Sequence, residues 1–252
     1  MIDLHAHILP GLDDGPGTME AAVAMARAAS AAGTRAMATT CHINHIFGLT
    51  PERLAAERER LAAALADEGV PLQLLQGGEV APERLPDLDD ATLQHLALGN
   101  GSYVLLECPF TPVGATMDMM VADLQGRGFH VLLAHPERSP TFQRDPAHLG
   151  ALVDRGALAQ VTTGSFRGAF GQTAQRAAET MLAMGVVHVL ASDAHDAAHR
   201  PPVLAAPLDE DQLEWMASAA PAAILAGAPL PERPPLPRVR GVRARLRSWS
   251  GR

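Results

Sequence analysis

Short apolar runs rich in strand-forming residues recur seven times along the chain, near residues 2–6, 36–41, 73–79, 102–108, 129–134, 158–163 and 186–192. Between them lie segments with helical periodicity: "TMEAAVAMARAASAAG", "TPERLAAERERLAAALADEG", "GATMDMMVADLQGRG", "DPAHLGALVDRG" and "FGQTAQRAAETMLAMG". Several open on Thr or Asp and close on Gly, as helix caps require. Strands alternating with helices point to a parallel sheet, because each parallel connection needs a crossover and a helix supplies it. With 252 residues and 47% hydrophobic content, the chain can close such units into an α/β barrel. Residues 81–101 read as a loop with a short helix and 209–227 as a last helix. The expected division is a barrel over 1–230 and a proline- and arginine-rich tail over 231–252.

Charge narrows the class further. The chain has no lysine, and its 20 basic residues are all arginine. From residue 232 onward, seven of them (Arg233, Arg238, Arg240, Arg243, Arg245, Arg247 and Arg252) face only Glu232, a surplus of six positive charges. The whole chain carries −8, so the body before the tail carries −14. An acidic body argues against a nucleic-acid binder and suits carboxylates that hold cations. The tail suggests contact with anionic lipid through Leu246 and Trp249. No apolar run nears the roughly 20 residues of a spanning helix, and no leader pattern opens the sequence, so a cytoplasmic protein is expected. Cys41 and Cys108 are too few for a disulfide framework.

The ionisable residues fall where the strands end. His5 and His7 end the first run, with Asp14 in the loop beyond, and His42 follows the second in "ATTCHINH". Glu79 ends the third, Glu107 the fourth and His135 the fifth, while Asp193 and His195 end the seventh in "VLASDAH". Strand C-termini of a parallel barrel converge on the face where chemistry is done. Each residue alone has an ordinary explanation, as a helix cap, a solvated loop residue or a satisfied core histidine. Nine together do not, since unpaired buried carboxylates are costly and cations make them compatible. Cys41 and Cys108 adjoin candidate ligands, so strand alternation turns them to the opposite face as core residues. Neither starts a C-x5-R motif, because Phe47 and Gly114 stand six residues on. Asp13 and Glu137 read as loop residues, and Asp3 as a partner behind the ligands.

The segments "DLHAHILPGLDDG", "GGEV", "YVLLECPF", "LLAHPER", "QVTTGSFRGAFG" and "VLASDAH" with Arg200 beyond it stand in one order and spacing. With these the chain resembles the PHP (polymerase and histidinol phosphatase) superfamily. Within it, the chain is similar to the bacterial manganese-dependent protein-tyrosine phosphatases of capsule and exopolysaccharide operons, the CpsB/YwqE type. The resemblance implies a distorted seven-stranded (β/α)7 TIM-like barrel with three divalent ions. His5, His7, Glu79 and Asp193 would hold one; Glu79, Glu107 and His135 a second; Asp14, His42 and His195 a third. It implies phosphate binding by Arg138 and Arg200, and a phosphotyrosine protein as substrate, such as a membrane tyrosine autokinase. The family reads T-P-H-H-N after its second strand where this chain has Thr40-Cys41-His42-Ile43-Asn44, with His45 offered as a substitute for the lost histidine.

Imidazole and carboxylate donors accept Mn²⁺, Fe²⁺, Co²⁺ or Zn²⁺, and the resemblance favours Mn²⁺. Ions about 3.5–4 Å apart can share a bridging hydroxide, which would attack phosphorus directly. Arg138 and Arg200 would neutralise the phosphoryl oxygens. In "TTGSFRGAFG", Ser165 and the backbone either frame the substrate or form a plain turn. Other readings are a histidinol-phosphate phosphatase, a nuclease, an amidohydrolase or a catalytically silent phosphotyrosine-binding regulator. The acidic body disfavours the nuclease, and the missing lysine disfavours amidohydrolases that bridge metals with a carboxylated lysine. The altered "TCHIN" stretch alone supports the silent regulator.

Overall fold

The structure, a computed structural model, describes residues 1–112 and 115–235. The tail arginines from Arg238 onward, Leu246 and Trp249 lie outside the described residues. Among the described residues nine strands run β1 (Ile2–Ala6), β2 (Ala36–Thr39), β3 (His42–Ile43), β4 (Gln73–Leu75), β5 (Glu79–Val80), β6 (Tyr103–Glu107), β7 (His130–Ala134), β8 (Leu158–Thr162) and β9 (Val189–Ala191). Every ladder among them is parallel. The order is β1-β2-β4 in one sheet and β3-β5-β6-β7-β8-β9 in the other. Two of the seven expected runs therefore differ: 36–41 gives β2 and is followed at once by a separate strand, β3, and 73–79 divides into β4 and the start of β5. The chain leaves the first sheet at Thr40-Cys41 and again at Gln76-Gly78, entering the second each time. Across the remaining edge, Asp193 N–H donates to His5 O and His7 N–H to Ala194 O, both at 2.9 Å, and Ala6 bridges Ala194.

The helices are α1 (Met19–Ala31), α2 (Pro51–Asp67), α3 (Asp90–Leu96), α4 (Thr116–Gly126), α5 (Pro140–Arg144), α6 (Pro146–Asp154), α7 (Thr163–Phe166), α8 (Gly171–Met184), α9 (Glu210–Glu214) and α10 (Ala220–Ala226). Capping follows side-chain chemistry: Thr18, Thr50, Asp89, Asp145 and Asp209 each accept from backbone N–H groups of the following turn. One π turn, Trp215–Ala219, joins α9 to α10.

The sheets separate two apolar regions. A large core holds the helix-facing side, including Val104, Leu106, Val131, Leu133, Cys41 and Cys108. A smaller one gathers Leu4, Ala38, Leu105, Leu132, Ala134, Leu158 and Val189 on the other side. Strand alternation explains the division, since Leu105 and Leu132 point opposite to their neighbours. On β1 the pairing with β2 shifts register between Asp3 and Ala6. A local irregularity of that kind lets consecutive residues serve one face, which brings His5 round to the side that Leu4 already occupies. Asp3 fastens this kink: its carboxylate accepts from His5 N–H, Ser192 N–H and Ser192 Oγ–H at 3.2, 3.1 and 2.5 Å.

Candidate metal centre

Donor atoms of the nine expected ligands meet at one end of the strands. Among the described residues, four overlapping groups have donor atoms within 4.8 Å of one another: His7, Asp14, His42 and His195; His5, His7 and Asp193; His5, Glu79 and His135; His42, Glu79 and Glu107. His5, His7, His42 and Glu79 each belong to two groups, so neighbouring positions share ligands. The grouping crosses the three-ion partition implied by the resemblance: Glu107 stands with His42, and His7 with Asp14 as well as Asp193. His45 lies outside these groups, exposed beside Arg84 with its Nδ1 3.1 Å from Nη1.

The strand ends place these groups by unusual backbone. His135 directly follows β7 and Asp193 stands two residues beyond the end of β9, and both have positive φ, 34° and 50°. Non-glycine residues rarely occupy that region, and such strain clusters where side-chain aim matters. Gly15 closes the Asp13-Asp14 turn so tightly that a Cβ there would collide with the His7 carbonyl. Only glycine fits such an approach.

Imidazole orientation is fixed from behind. His5 Nδ1 lies 3.0 Å from Gln160 Oε1, and His7 Nδ1 lies 2.7 Å from Asp13 Oδ2. Neither oxygen can donate, so both Nδ1 atoms carry the proton in these bonds. The two Nε2 atoms then turn toward each other at 3.2 Å. Two facing lone pairs repel unless a proton or a cation lies with them. Glu79 Oε2 is buried and has no hydrogen-bond partner of good geometry. Yet His42 Nδ1 lies 3.0 Å from it, and His5 Nε2 and His7 Nε2 each lie 3.4 Å away. An orphaned carboxylate oxygen ringed by three imidazole nitrogens fits divalent cations. Burial alone would raise the Glu79 carboxyl, but His5, His135 and His42 hold it well below the usual carboxylate range. Burial, with Glu79 nearby, pushes Glu107 up to about 7. Burial lowers His135, whereas Asp13 and Glu79 outweigh burial at His7 and raise it. Cations bound here would displace those protons.

Arg138 and Arg200 border the cluster through one atom. Arg138 Nη1 lies 2.6 Å and Arg200 Nη2 2.7 Å from Asp193 Oδ2. The sequence reading missed Asp13, whose carboxylate also accepts from His42 N–H at 3.0 Å, and Gln160. The available signals were a doubled aspartate before glycine and a lone amide in the apolar run "LAQVT". Glu137 is not a solvated loop residue but fully buried, accepting from Thr162 N–H at 3.1 Å and Ser165 Oγ–H at 2.7 Å. Burial pushes its carboxyl up to about 7, against those hydrogen bonds. Ser165 stands in the short helix α7 and is thereby committed to the interior, which favours a structural role over a substrate frame. Asp3 serves backbone and Ser192 rather than a ligand side chain. Both cysteines are free and buried, and burial pushes each thiol well up, so neither is a ready nucleophile.

The chain is 36% identical to tyrosine-protein phosphatase YwqE of Bacillus subtilis over 197 residues, 78% of each chain. It is 27% identical to tyrosine-protein phosphatase CpsB of Streptococcus pneumoniae over 218 residues, 81% of this chain and 86% of that one. A solved chain from the crystal structures of YwqE and CpsB, described as metal-dependent tyrosine phosphatases, superposes with a TM-score of 0.82 at 31% identity. That match covers 95% of this chain and 100% of the other. The family described as capsular polysaccharide synthesis, CpsB/CapC, matches residues 1–213, and the chain belongs to it.

Proposed function

We propose that this protein is a metal-dependent, cysteine-independent protein-tyrosine phosphatase. The observation that carries this reading is the convergence of His5 Nε2, His7 Nε2 and His42 Nδ1 on the orphaned Glu79 Oε2. His5, His7, Asp14, His42, Glu79, Glu107, His135, Asp193 and His195 would hold the ions, three in number and Mn²⁺ by preference. Bound divalent ions supply an activated water at neutral pH and Lewis-acid neutralisation of the phosphoryl group. Asp13 and Gln160 keep the His7 and His5 imidazoles in the tautomer that presents Nε2. Arg138 and Arg200 bind the phosphoryl oxygens, each guanidinium offering a planar fork that matches them. Tyrosinate leaves without strong protonation because a phenol has a pKa near 10. The two parallel sheets are read as one distorted (β/α)7 barrel over residues 1–230, and residues 231–252 as its tail. The substrate is a phosphotyrosine protein, taken to be a cytoplasmic face of a membrane tyrosine autokinase in polysaccharide synthesis. No helix among the described residues is long and apolar enough to cross a membrane itself.

Phosphate release from a phosphotyrosine peptide, a phosphoserine peptide and histidinol phosphate, with Mn²⁺ and after chelation, tests the reading. Metal-dependent release from phosphotyrosine is expected. Turnover of histidinol phosphate alone would transfer the chain to that activity, and no metal-dependent turnover would refute both.

A further inference from the structure

Phe110 is out of place for an apolar residue. It lies three residues beyond Glu107, on the loop leaving β6, and is 51% exposed beside a centre built of charged groups. Its ring lies nearly parallel to the His135 imidazole, with centroids 5.4 Å apart and planes at 14°. The guanidinium carbon of Arg138 sits 4.6 Å from the Phe110 centroid and 4.1 Å from that of Phe170. Phe170 also lies 5.7 Å from the Arg200 guanidinium. Two aromatic rings thus flank one phosphate-binding candidate, and the second ring reaches the other.

Holding Arg138 does not by itself explain this arrangement. Phe170 already covers the guanidinium at the shorter distance and is itself half-buried. Phe110 leaves about half its surface in water at the mouth of the site, where a polar residue would be less costly. A half-exposed ring beside the Arg138 guanidinium, with Arg200 held one ring away over Phe170, matches an aryl phosphomonoester whose phosphoryl oxygens meet the arginines and whose phenyl ring meets the exposed part of Phe110. Aromatic pairs gain from offset or edge contacts beyond the area they bury.

We propose that Phe110 is a substrate-contacting specificity residue, whose exposed ring surface packs against the phenyl ring of phosphotyrosine and selects aryl over alkyl phosphates. The proposal rests on the phosphatase reading and adds the source of its substrate preference.

Calorimetric binding of two phosphonates to the metal-loaded full chain separates the possibilities. Benzylphosphonate carries the ring, and methylphosphonate carries only the shared anionic head. Phe110→Ala and Phe110→Leu should each raise the Kd of benzylphosphonate about three- to tenfold and leave that of methylphosphonate within about twofold. Phe110→Tyr should restore the difference. Equal weakening of both ligands would mean that Phe110 acts only by seating Arg138, and no weakening of either would remove it from the site; both results overturn the proposal. Thermal unfolding of each variant identifies loss of fold, in which case Phe110→Leu, the smaller perturbation, decides. Wild-type hydrolysis of phosphotyrosine is measured alongside. Its absence refutes the phosphatase reading, whereas its presence with indifferent Phe110 variants refutes this inference alone.

Discussion

Arg138 and Arg200 reach the same oxygen of Asp193 from two loops, and a guanidinium held that way can exchange one anionic oxygen for another. Arg138→Lys keeps the charge but loses the fork and the stacking between Phe110 and Phe170. Losing one charge-assisted bond of about 1.5–3 kcal/mol should lower kcat/KM for a phosphotyrosine peptide roughly ten- to a hundredfold. Metal content should stay unchanged; equal kinetics in the variant would remove Arg138 from phosphate binding. The candidate ligands other than Asp14, which lies in the first loop, stood out in sequence because each stands at or just beyond the end of an apolar run, where a charged residue needs a reason. Asp13 and Gln160 were not, since their work is to hold an imidazole ring from behind. That depends on where His7 Nδ1 and His5 Nδ1 point, and spacing along the chain does not encode it.

Among elements, helix boundaries followed local chemistry closely, because Thr50-Pro51, Asp145-Pro146 and Gly185 terminate helices whatever surrounds them. The strand breaks at Cys41 and at Gly77-Gly78 were illegible: the apolar run continues through them, and only the handover between sheets divides it. The segment entering β9 carries a titration of its own. His188 Nδ1 accepts from Ala159 N–H at 3.2 Å, and burial, with Arg233 adding to it, lowers its pKa to about 4 from 6.5. A depressed histidine contributes stability that is complete above its unfolded value and lost as pH falls toward the folded one. Between pH 4 and 6.5 the unfolded chain binds the extra proton, so stability rises with pH. Denaturant unfolding across that window should show wild type gaining on the order of 2 kcal/mol relative to His188→Asn. Parallel pH profiles for the two proteins would contradict the assignment.

At the scale of the whole molecule, the donors come from both sheets and the loops between them: His5 from β1, His42 from β3, Glu79 from β5 and Glu107 from β6, with His135, Asp193 and His195 beyond β7 and β9. Cations bound there would join segments that the backbone ladders leave separate, and would stabilise the fold by mass action. The parallel α/β class was visible in the alternation of runs, but the division into two sheets was not, because it depends on long-range pairing such as β2 with β4 and β3 with β5. Elemental analysis of the full chain after Mn²⁺ loading and gel filtration, beside Glu79→Ala, bears on all of this at once. More than one divalent ion per wild-type chain is expected, with a lower ratio when the Glu79 carboxylate is gone. A wild-type chain that retains no divalent ion, or a variant that retains just as many, would contradict the metal centre.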